Sequence, residues 1–347
     1  MHQTQRMTTF AFPLTTIQTE SRLASTVRDG LSAYPKRLPP WLFYDETGSR
    51  LFDEITERPE YYPTRTERGI LAANADRIMA LATERPRGSA QQSRGRSANK
   101  KPAHLRITEL GAGSADKTRL LLAAAVASQG TVLYEPVDVS PSALETAKDR
   151  IEREIAGVAV SPQVMDYTHE FEFAPTCDRR LVLYIGSSIG NFDPWQADEL
   201  LRGVRSGLKS GDGLLLGVDL VKDEPTLLAA YDDFAGVTAD FNLNLLARLN
   251  RELGANFDLE SFEHRAVWNA HESRIEMHLE SRIAQQVWIE GLDLAVKFAA
   301  GETIHTENSY KYRPEQVEAM LAAAGFTPAE TWMDPQGWFA VCLGRVA

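Results

Sequence analysis

Between residues 105 and 220 the sequence alternates short apolar runs with longer segments whose apolar residues recur at helical spacing. The short runs predict strands and the periodic segments predict helices. The strands span residues 105–110, 131–138, 158–165, 181–185 and 213–220, and the helices span 115–128, 140–155 and 194–208. Strands that alternate with helices form parallel sheets, because each helix carries the chain back across one face. We therefore predict an α/β fold with helices on both faces of the sheet.

The C-terminal segment predicts a different end for this sheet. A helix over 314–324 is closed by Gly325, and two strand-like runs follow at 327–333 and 338–346. The residues between the runs, 334–337, contain the proline and glycine of a hairpin turn. A parallel, Rossmann-like sheet that ends in an antiparallel hairpin is typical of class I methyltransferases and not of dinucleotide-binding dehydrogenases.

Two segments, 12–63 and 221–312, lie outside the alternation. The second contains one predicted helix, 224–253, followed by strand-like runs at 257–262, 265–269, 274–280 and 284–289. We predict that the two segments form a second, smaller α+β domain, and that residues 64–220 and 313–347 form the first. The second domain is expected to cover the carboxyl edge of the sheet, where ligands bind in such folds.

Residues 85–103 contain no large apolar side chain and are rich in Gly, Ser, Gln and Arg. Such a segment cannot bury apolar surface, so we predict a flexible basic insertion. It could also be a binding patch, but a solvated loop is the simpler interpretation of its composition.

The formal charge of the chain, −11, argues against nucleic acid and anionic membranes as partners. The two cysteines, Cys177 and Cys342, are far apart and form no metal-binding or disulfide pattern. No apolar run is long enough to span a bilayer, and the first residues lack the apolar core of a signal peptide. We expect a cytoplasmic monomer that binds neither nucleic acid nor membranes.

The turn after the first predicted strand, residues 109–117, contains Gly111 and Gly113. Glycines at these positions let the backbone turn sharply and approach a ligand, although a purely structural turn explains them equally well. The dinucleotide fingerprint would require a third glycine at the position of Asp116. A carboxylate there would repel a pyrophosphate, so we predict a ligand without phosphate groups.

Acidic residues also follow the next two predicted strands. Asp138 is placed to accept hydrogen bonds from both hydroxyls of a ribose, and Asp166 and Tyr167 suit the amino group and ring of an adenine. Each carboxylate could alone be a solvated strand end. Together they predict an S-adenosylmethionine site, with the cofactor-binding residues Gly111, Gly113, Lys117, Asp138, Asp166 and Tyr167.

Six motifs carry a resemblance to a known family. They are LPPWLFYD at 38–45, GSRLFD at 48–53, PEYYPTR at 59–65, ELGAG at 109–113, GSSIGN at 186–191 and ENSYKY at 307–312. Together they resemble the histidine Nα-methyltransferases of ergothioneine biosynthesis, from about residue 20 to the end and mainly interrupted by the basic segment. The resemblance implies three methyl transfers to the α-amine of L-histidine, which give hercynine.

The resemblance also implies roles for individual residues. Tyr61, Asn191 and Tyr231 are similar to the catalytic residues that hold the α-carboxylate and α-amine. The full substrate-binding set that it implies is Tyr44, Phe52, Tyr61, Gly186, Asn191, Tyr231, Met277, Glu307 and Ser309. Without the resemblance, Asn191 would be interpreted as a turn residue and the tyrosines as structural.

Glu307 and Ser309 alternate within a predicted strand, so both side chains should lie on the same face. A carboxylate and a hydroxyl there could bind the two imidazole nitrogens, although a solvated strand face would show the same spacing. The resemblance implies the imidazole clamp, with Met277 as an apolar wall. Tyr310 is bulkier than the small residue expected there, which leaves the shape of the pocket open.

His264, His271 and His278 recur every seven residues, which places His271 on the opposite strand face, and we assign no metal. Two other functions stay open. The acceptor could be tryptophan or another aromatic amino acid, which would not need Glu307. Alternatively, the chain could be a non-catalytic module that binds the same ligands.

Overall fold

The computed structural model describes residues 16–84, 104–167 and 172–347, and their helices and strands are named here in chain order. The helices are α1 Thr16–Ser32, α2 Glu46–Thr56, α3 Tyr62–Thr83, α4 Thr118–Gln129, α5 Pro141–Glu154, α6 Pro194–Ser206, α7 Glu224–Tyr231, α8 Val237–Leu253 and α9 Pro314–Ala323. The strands are β1 Lys36–Arg37, β2 Leu105–Leu110, β3 Val132–Asp138, β4 Val158–Val160, β5 Gln163–Val164, β6 Arg179–Tyr184, β7 Gly213–Asp219, β8 Phe262–Asn269, β9 Arg274–Ser281, β10 Gln285–Ile289, β11 Leu294–Phe298, β12 Thr303–Tyr310, β13 Thr327–Met333 and β14 Phe339–Arg345.

The large sheet has the strand order β13-β14-β7-β6-β2-β3-β4, with β5 also paired to β3. The strands from β7 to β4 are parallel, whereas β14 and β13 run antiparallel and form the C-terminal hairpin. This confirms the predicted sheet. The chain reverses direction across the sheet between β2 and β6, and it is at such a reversal that ligands bind in open α/β sheets.

Helices cover both faces of this sheet. On one face α3, α4 and α5 contribute Leu71, Leu121 and Ile151 to an apolar core. On the other face α6 and α9 contribute Leu201 and Leu321 to a second layer. Because apolar residues on both faces are removed from water, every residue of β7 is buried.

Two boundaries within the sheet domain differ from the predicted ones. The third strand, predicted over 158–165, is interrupted by Ser161 and Pro162, because proline has no N–H to continue the ladder. The first helix begins at Thr118 rather than Ala115. Ala115 has a left-handed backbone (φ 51°), so the turn after β2 is longer than predicted.

A separate apolar cluster, named here the second core, is made from residues of 23–62 together with residues of 227–304. It packs against a four-stranded sheet of order β1-β12-β9-β8, in which the short β1 lies parallel to β12. Strands β10 and β11 form a separate hairpin. The proposed domain limits of 12–63 and 221–312 stay a prediction, and residues 12–15 lie outside the described part of the chain.

Two predictions for this region were wrong. The helix predicted over 224–253 is two helices, because the chain turns at Gly236 (φ 76°) and the Asp233 carboxylate accepts the N–H groups of Val237 and Thr238. The run at 257–262 is not a strand. It contains a single 3-10 turn over Leu259–Ser261, which follows the Asx-type bond from the N–H of Glu260 to Asp258.

No helix among the described residues is long and apolar enough to cross a membrane. The predicted basic insertion, 85–103, lies outside the described residues.

Candidate active site

The turn between β2 and α4 holds its shape through glycine. Gly111 has a left-handed backbone (φ 70°), and its N–H donates to the carbonyl of Val137 at 2.8 Å. A Cβ at this position would lie 2.8 Å from the Tyr167 hydroxyl oxygen, closer than real Cβ contacts. Both the backbone angle and the close approach therefore require glycine at 111.

The carboxylate of Asp138, at the end of β3, is fixed by two backbone N–H groups. Its Oδ2 accepts from Gly113 and its Oδ1 from Ser140, both at 2.9 Å. Each oxygen accepts one of these bonds and keeps a lone pair for another donor. The carboxylate thus faces the cleft in one orientation and can accept two more hydrogen bonds, which is what two vicinal hydroxyls require.

Asp166 and Tyr167 follow β5 at the same edge. The Asp166 carboxylate forms an ion pair with Arg22 of α1, whose guanidinium also lies 4.8 Å from the centre of the Trp41 ring. The Tyr167 ring packs edge-on against Tyr184 at 5.8 Å. Arg22 was not among the predicted site residues, since nothing in the local sequence brings α1 to this strand end.

Lys117 and Gly186 meet at a buried carboxylate that the sequence analysis did not identify. Glu67 of α3 is completely buried and accepts from the Lys117 ammonium and, at 2.9 Å, from the Gly186 N–H. A Cβ on Gly217 would lie 1.9 Å from Glu67 Oε1, so β7 needs a glycine where the carboxylate passes. The turn after β6 is therefore tied to the first turn of the sheet through α3.

Four aromatic rings line a small cavity next to the cleft. Tyr44 and Phe52 lie 5.8 Å apart, Phe52 and Tyr61 6.3 Å, and Tyr61 and Tyr231 6.4 Å between ring centres, all at steep angles. Burial raises the pKa of each of the three tyrosines well above its usual value, so the phenols stay neutral. The rings present both π-faces and hydroxyl groups to one space.

Glu307 and Ser309 of β12 lie on the same face, as predicted. They pair with Met277 and Ile275 of β9, and a β-bulge falls between His305 and Glu307. The bulge turns Thr306 inward, where its hydroxyl donates to the side chain of Asn242 and to the carbonyl of Met277. The extra residue shifts the alternation of side chains between the two faces of the strand by one position, so that Glu307 faces the cavity.

Glu307 is 8% exposed, and its carboxyl group accepts from Asn191 Nδ2 at 3.1 Å. Burial raises its pKa to about 7, while the charge of Lys311 and the Asn191 bond act in the opposite direction. The carboxylate form is therefore available near neutral pH, but it is much more sensitive to acid than an exposed glutamate.

A buried histidine holds Tyr231 in place. His264 Nε2 lies 2.8 Å from the carbonyl of Tyr231, so this nitrogen carries the proton, and its Nδ1 accepts from Asn242 Nδ2 at 2.8 Å. Burial lowers the pKa of His264, which keeps the ring neutral. Asn242 also accepts from Thr306, so one network fixes both Tyr231 and the bulge before Glu307.

The seven-residue spacing of the histidines did not predict where they lie in the structure. His271 is in the exposed turn between β8 and β9 and not on a strand. Within the described part of the chain, Glu276, His278 and His305 form the one group whose ligand atoms lie close enough for a metal ion. The Glu276 carboxylate there already accepts from Arg274 and Asn269, so hydrogen bonds within the protein account for the group.

The structure brings together the residues predicted for each ligand. The six predicted cofactor residues line one large cleft, and the nine predicted acceptor residues line a smaller cavity that opens from it. Glu307, Asn191 and Tyr61 line both spaces, so the two ligands would meet there. Tyr310 faces away, since its hydroxyl contacts Arg274 and Asp193 on the opposite side of β12, so its bulk does not reshape the cavity.

A seven-stranded order with a C-terminal antiparallel hairpin, a glycine turn after β2 and an aspartate at the end of β3 together define an S-adenosylmethionine-dependent methyltransferase of class I. Within this class, the chain belongs to the S-adenosylmethionine-dependent, histidine-specific methyltransferase family, whose sequence model matches residues 23–346.

Three relatives define the similarity more closely. The chain is 46% identical to the histidine N-alpha-methyltransferase of Mycolicibacterium smegmatis and 42% identical to that of Mycobacterium tuberculosis. Each match covers 92% of this chain and 94% of the relative. The ergothioneine biosynthesis protein 1 of Schizosaccharomyces pombe is 28% identical over 84% of this chain and 36% of its own length.

Proposed function

We propose that the protein transfers methyl groups from S-adenosylmethionine to the α-amine of L-histidine three times, and so makes hercynine for ergothioneine biosynthesis. The observation that carries the proposal is the pair Glu307 and Ser309 on one strand face, in a cavity that Tyr61 and Tyr44 also line. A carboxylate and a hydroxyl together can bind the two nitrogens of an imidazole, one as acceptor and the other as donor. The names of the mycobacterial relatives agree with this substrate.

The residues around the cofactor cleft fit an S-adenosyl group. Asp138 has two oxygens with lone pairs left for the ribose hydroxyls, and Gly111 leaves room for close approach. The Asp116 carboxylate beside the turn forms ion pairs with Arg119 at 2.8 Å and Arg68 at 3.5 Å, so its charge is compensated within the protein. We assign the adenine to Asp166 and Tyr167, with Arg22 closing over the same carboxylate.

The bound sulfonium supplies an electrophilic methyl group, so the protein has chiefly to align a neutral amine with it. Each transfer forms an N–C bond and breaks an S–C bond, and one proton must leave the amine before each transfer. We assign the α-carboxylate and α-amine to Tyr61, Asn191 and Tyr231, whose neutral side chains hold the amino acid without adding charge.

The aromatic walls suit a product whose positive charge persists after the last transfer. A quaternary ammonium has no N–H to donate, and it is stabilised by the π-faces of aromatic rings. Tyr44, Phe52 and Tyr61 supply such faces beside the predicted position of the amine. The ring faces can therefore replace the N–H hydrogen bonds that the amine loses as methyl groups accumulate.

A methylation screen tests this function. The protein is incubated with S-adenosylmethionine and each amino acid in turn, and the products are weighed for one, two or three added methyl groups. We expect histidine to gain three. Methylation of tryptophan or another amino acid in place of histidine would overturn the acceptor, and ligand binding without turnover in a calorimetric titration would favour a non-catalytic module.

We further propose that the protein works as a monomer in the cytoplasm and that its partners are small molecules only. The charge of −11 supports the absence of nucleic-acid and anionic-membrane partners. Size-exclusion chromatography with light scattering tests the monomer.

A further inference from the structure

A completely buried lysine lies directly behind the imidazole clamp. The side chain of Lys311 has no exposed surface, and its ammonium lies next to Ser309, Tyr231 and Asp219. It donates to Ser309 Oγ at 2.7 Å and to the Tyr231 hydroxyl oxygen at 2.9 Å, and it forms an ion pair with Asp219 Oδ2 at 2.9 Å. Neither the resemblance nor the spacing of the sequence assigned a role to this residue.

The ammonium of Lys311 restricts which hydrogen bonds the hydroxyl groups of Ser309 and Tyr231 can donate. A lysine has three donors and no acceptor, so Ser309 and Tyr231 can only accept from it. Their oxygens also lie 2.6 Å apart, which means that one hydroxyl donates to the other. A phenol is a stronger acid than an alkyl hydroxyl, so Tyr231 donates to Ser309. The proton of Ser309 is then the one left to point into the cavity.

We propose that Lys311 is a positioning residue that directs the Ser309 proton at the acceptor, and that the site therefore selects a neutral imidazole. The inference rests on the proposed function, since it needs the imidazole between Glu307 and Ser309. A neutral imidazole has one N–H donor and one acceptor nitrogen. Glu307 accepts the N–H, and Ser309 donates to the other nitrogen.

The same arrangement explains how an indole is rejected. The indole ring has one N–H donor and no acceptor nitrogen, so it would leave the proton of Ser309 buried without a partner. A site built to hydrogen-bond a group discriminates strongly against an analogue that lacks it. Tyr231, which donates to Ser309, keeps a lone pair for an N–H of the α-amine, and this leaves the amine lone pair free to face the methyl group.

The ammonium of Lys311 is one of two lysine ammonium groups that surround a single buried carboxylate. Asp219 is buried and lies between Lys311 and Lys222. Burial would raise the pKa of Asp219, but the two ammonium groups lower it, so it stays ionised. Lys222 itself donates to Asp219, to the Tyr62 hydroxyl and to the carbonyl of Leu220, and to neither hydroxyl of the clamp.

Lys222 therefore provides a matched control. Lys311→Met and Lys222→Met each remove one ammonium from Asp219, but only the first removes the donor to Ser309 and Tyr231. For both variants we would measure the KM and kcat for histidine, the efficiency ratio of histidine over tryptophan, and the affinity for S-adenosylhomocysteine by calorimetry. The cofactor affinity reports whether the fold and the other ligand site are intact.

We expect Lys311→Met to raise the KM for histidine roughly tenfold, the effect of one hydrogen bond to a charged group. The preference for histidine over tryptophan should fall, while the cofactor affinity and the histidine KM of Lys222→Met stay close to wild type. The acid limb of kcat/KM should also move to higher pH in Lys311→Met alone, because the charge that lowers the pKa of Glu307 is gone.

Several outcomes would overturn the proposal. An unchanged KM and an unchanged histidine preference in Lys311→Met would show that Lys311 does not orient the Ser309 proton. Equal effects in Lys222→Met would show that Lys311 acts only as an ionic partner of Asp219. If Lys311→Met loses cofactor binding, the pair Lys311→Met with Asp219→Asn removes both charges and carries the same expectations. A wild-type protein that methylates another amino acid would refute the proposed function, whereas these results on a histidine-methylating enzyme refute only the role of Lys311.

Discussion

The two halves of the cleft are built in opposite ways. The residues assigned to the cofactor come from one continuous stretch, residues 109–167, and their geometry is set by backbone N–H groups that orient Asp138 and by the left-handed turn at Gly111. The acceptor half takes side chains from five distant parts of the chain, and its geometry is set by bonds between them, such as those of Glu307 with Asn191 and of Tyr231 with Ser309.

This difference predicts how each half responds to change. A site shaped by the backbone loses its ligand when a substituted residue cannot adopt the required backbone angles, even if its side chain forms no contact with the ligand. A site shaped by side chains loses affinity and specificity one bond at a time. Four experiments test this contrast.

The largest effect is expected at Gly111. In Gly111→Ala the new Cβ would force Tyr167 aside and strain a left-handed backbone by about 1–2 kcal/mol. We expect cofactor affinity to fall by more than a hundredfold, as measured by calorimetry with S-adenosylhomocysteine. Gly130→Ala is the control, since it also has a positive φ of 86° but no neighbour within 4 Å. A similar loss of affinity in both variants would show that strain alone, and not the cofactor cradle, is responsible.

A smaller and more selective effect is expected at Glu307. Glu307→Ala should weaken the binding of histidine by roughly 1–3 kcal/mol, because a buried polar partner is lost. The KM for histidine should rise accordingly, and the cofactor affinity should stay unchanged. Glu280→Gln, on the outward face of β9 and paired with Arg265, is the control. If the histidine KM of Glu307→Ala equals that of wild type, the imidazole binds elsewhere.

The pH dependence of kcat/KM in the wild-type enzyme should report the ionisation of the Glu307 carboxyl group. Because burial raises the pKa of Glu307 to about 7, the acceptor form of the carboxylate is lost as the pH falls below that value. We expect kcat/KM for histidine to fall on the acid side with an apparent pKa near 7. In Glu307→Gln the contribution of this carboxyl group should disappear, while the ionisations of the substrate imidazole (pKa ~6.5) and of the substrate α-amine (pKa ~8) remain. Identical profiles for the two proteins would exclude Glu307 as the titrating group.

The smallest effect is expected at Tyr310. Its hydroxyl contacts Arg274 and Asp193 on the far side of β12 from the cavity. Tyr310→Phe should therefore lower the free energy of unfolding by about 1 kcal/mol in a denaturant titration and leave the histidine preference unchanged. A changed ratio of histidine to tryptophan methylation would mean that the outward face of the strand also shapes the pocket.

The same contrast explains what could be predicted from the sequence. The sheet, its hairpin and the ligand turn follow from local patterns: alternating apolar runs, a proline and glycine between strands, and glycines after β2. The bulge at Thr306 could not be predicted, since it depends on bonds to Asn242 and Met277 that are distant in sequence. The division of the predicted 224–253 helix depends on Gly236, whose backbone angle a helical apolar pattern does not reveal.

Buried charges were the least predictable feature of the site. Glu67 and Lys311 read in the sequence as ordinary surface residues of a helix and a strand end, yet both are inside the protein. Their burial is tolerated because each has an ionic partner from another element, Lys117 for Glu67 and Asp219 for Lys311. No pattern within one segment of the sequence reveals these ion pairs. The buried charges behind both halves of the cleft are therefore recognisable only in the folded structure.

The second core has a consequence for how the chain reaches its folded state. Lys36 pairs with Ile304, so two positions that lie side by side are 268 positions apart in the sequence. At about 5–20 residues per second, the ribosome needs on the order of 13–54 seconds to deliver the partner strand after the first segment emerges. Until residues 227–304 are made, Leu31, Leu42 and Phe43 lack their partners in the second core, while the strands of the large sheet up to β7 already can pair. Newly made chains therefore expose the apolar side chains of this first segment until the helices and strands of residues 227–304 follow.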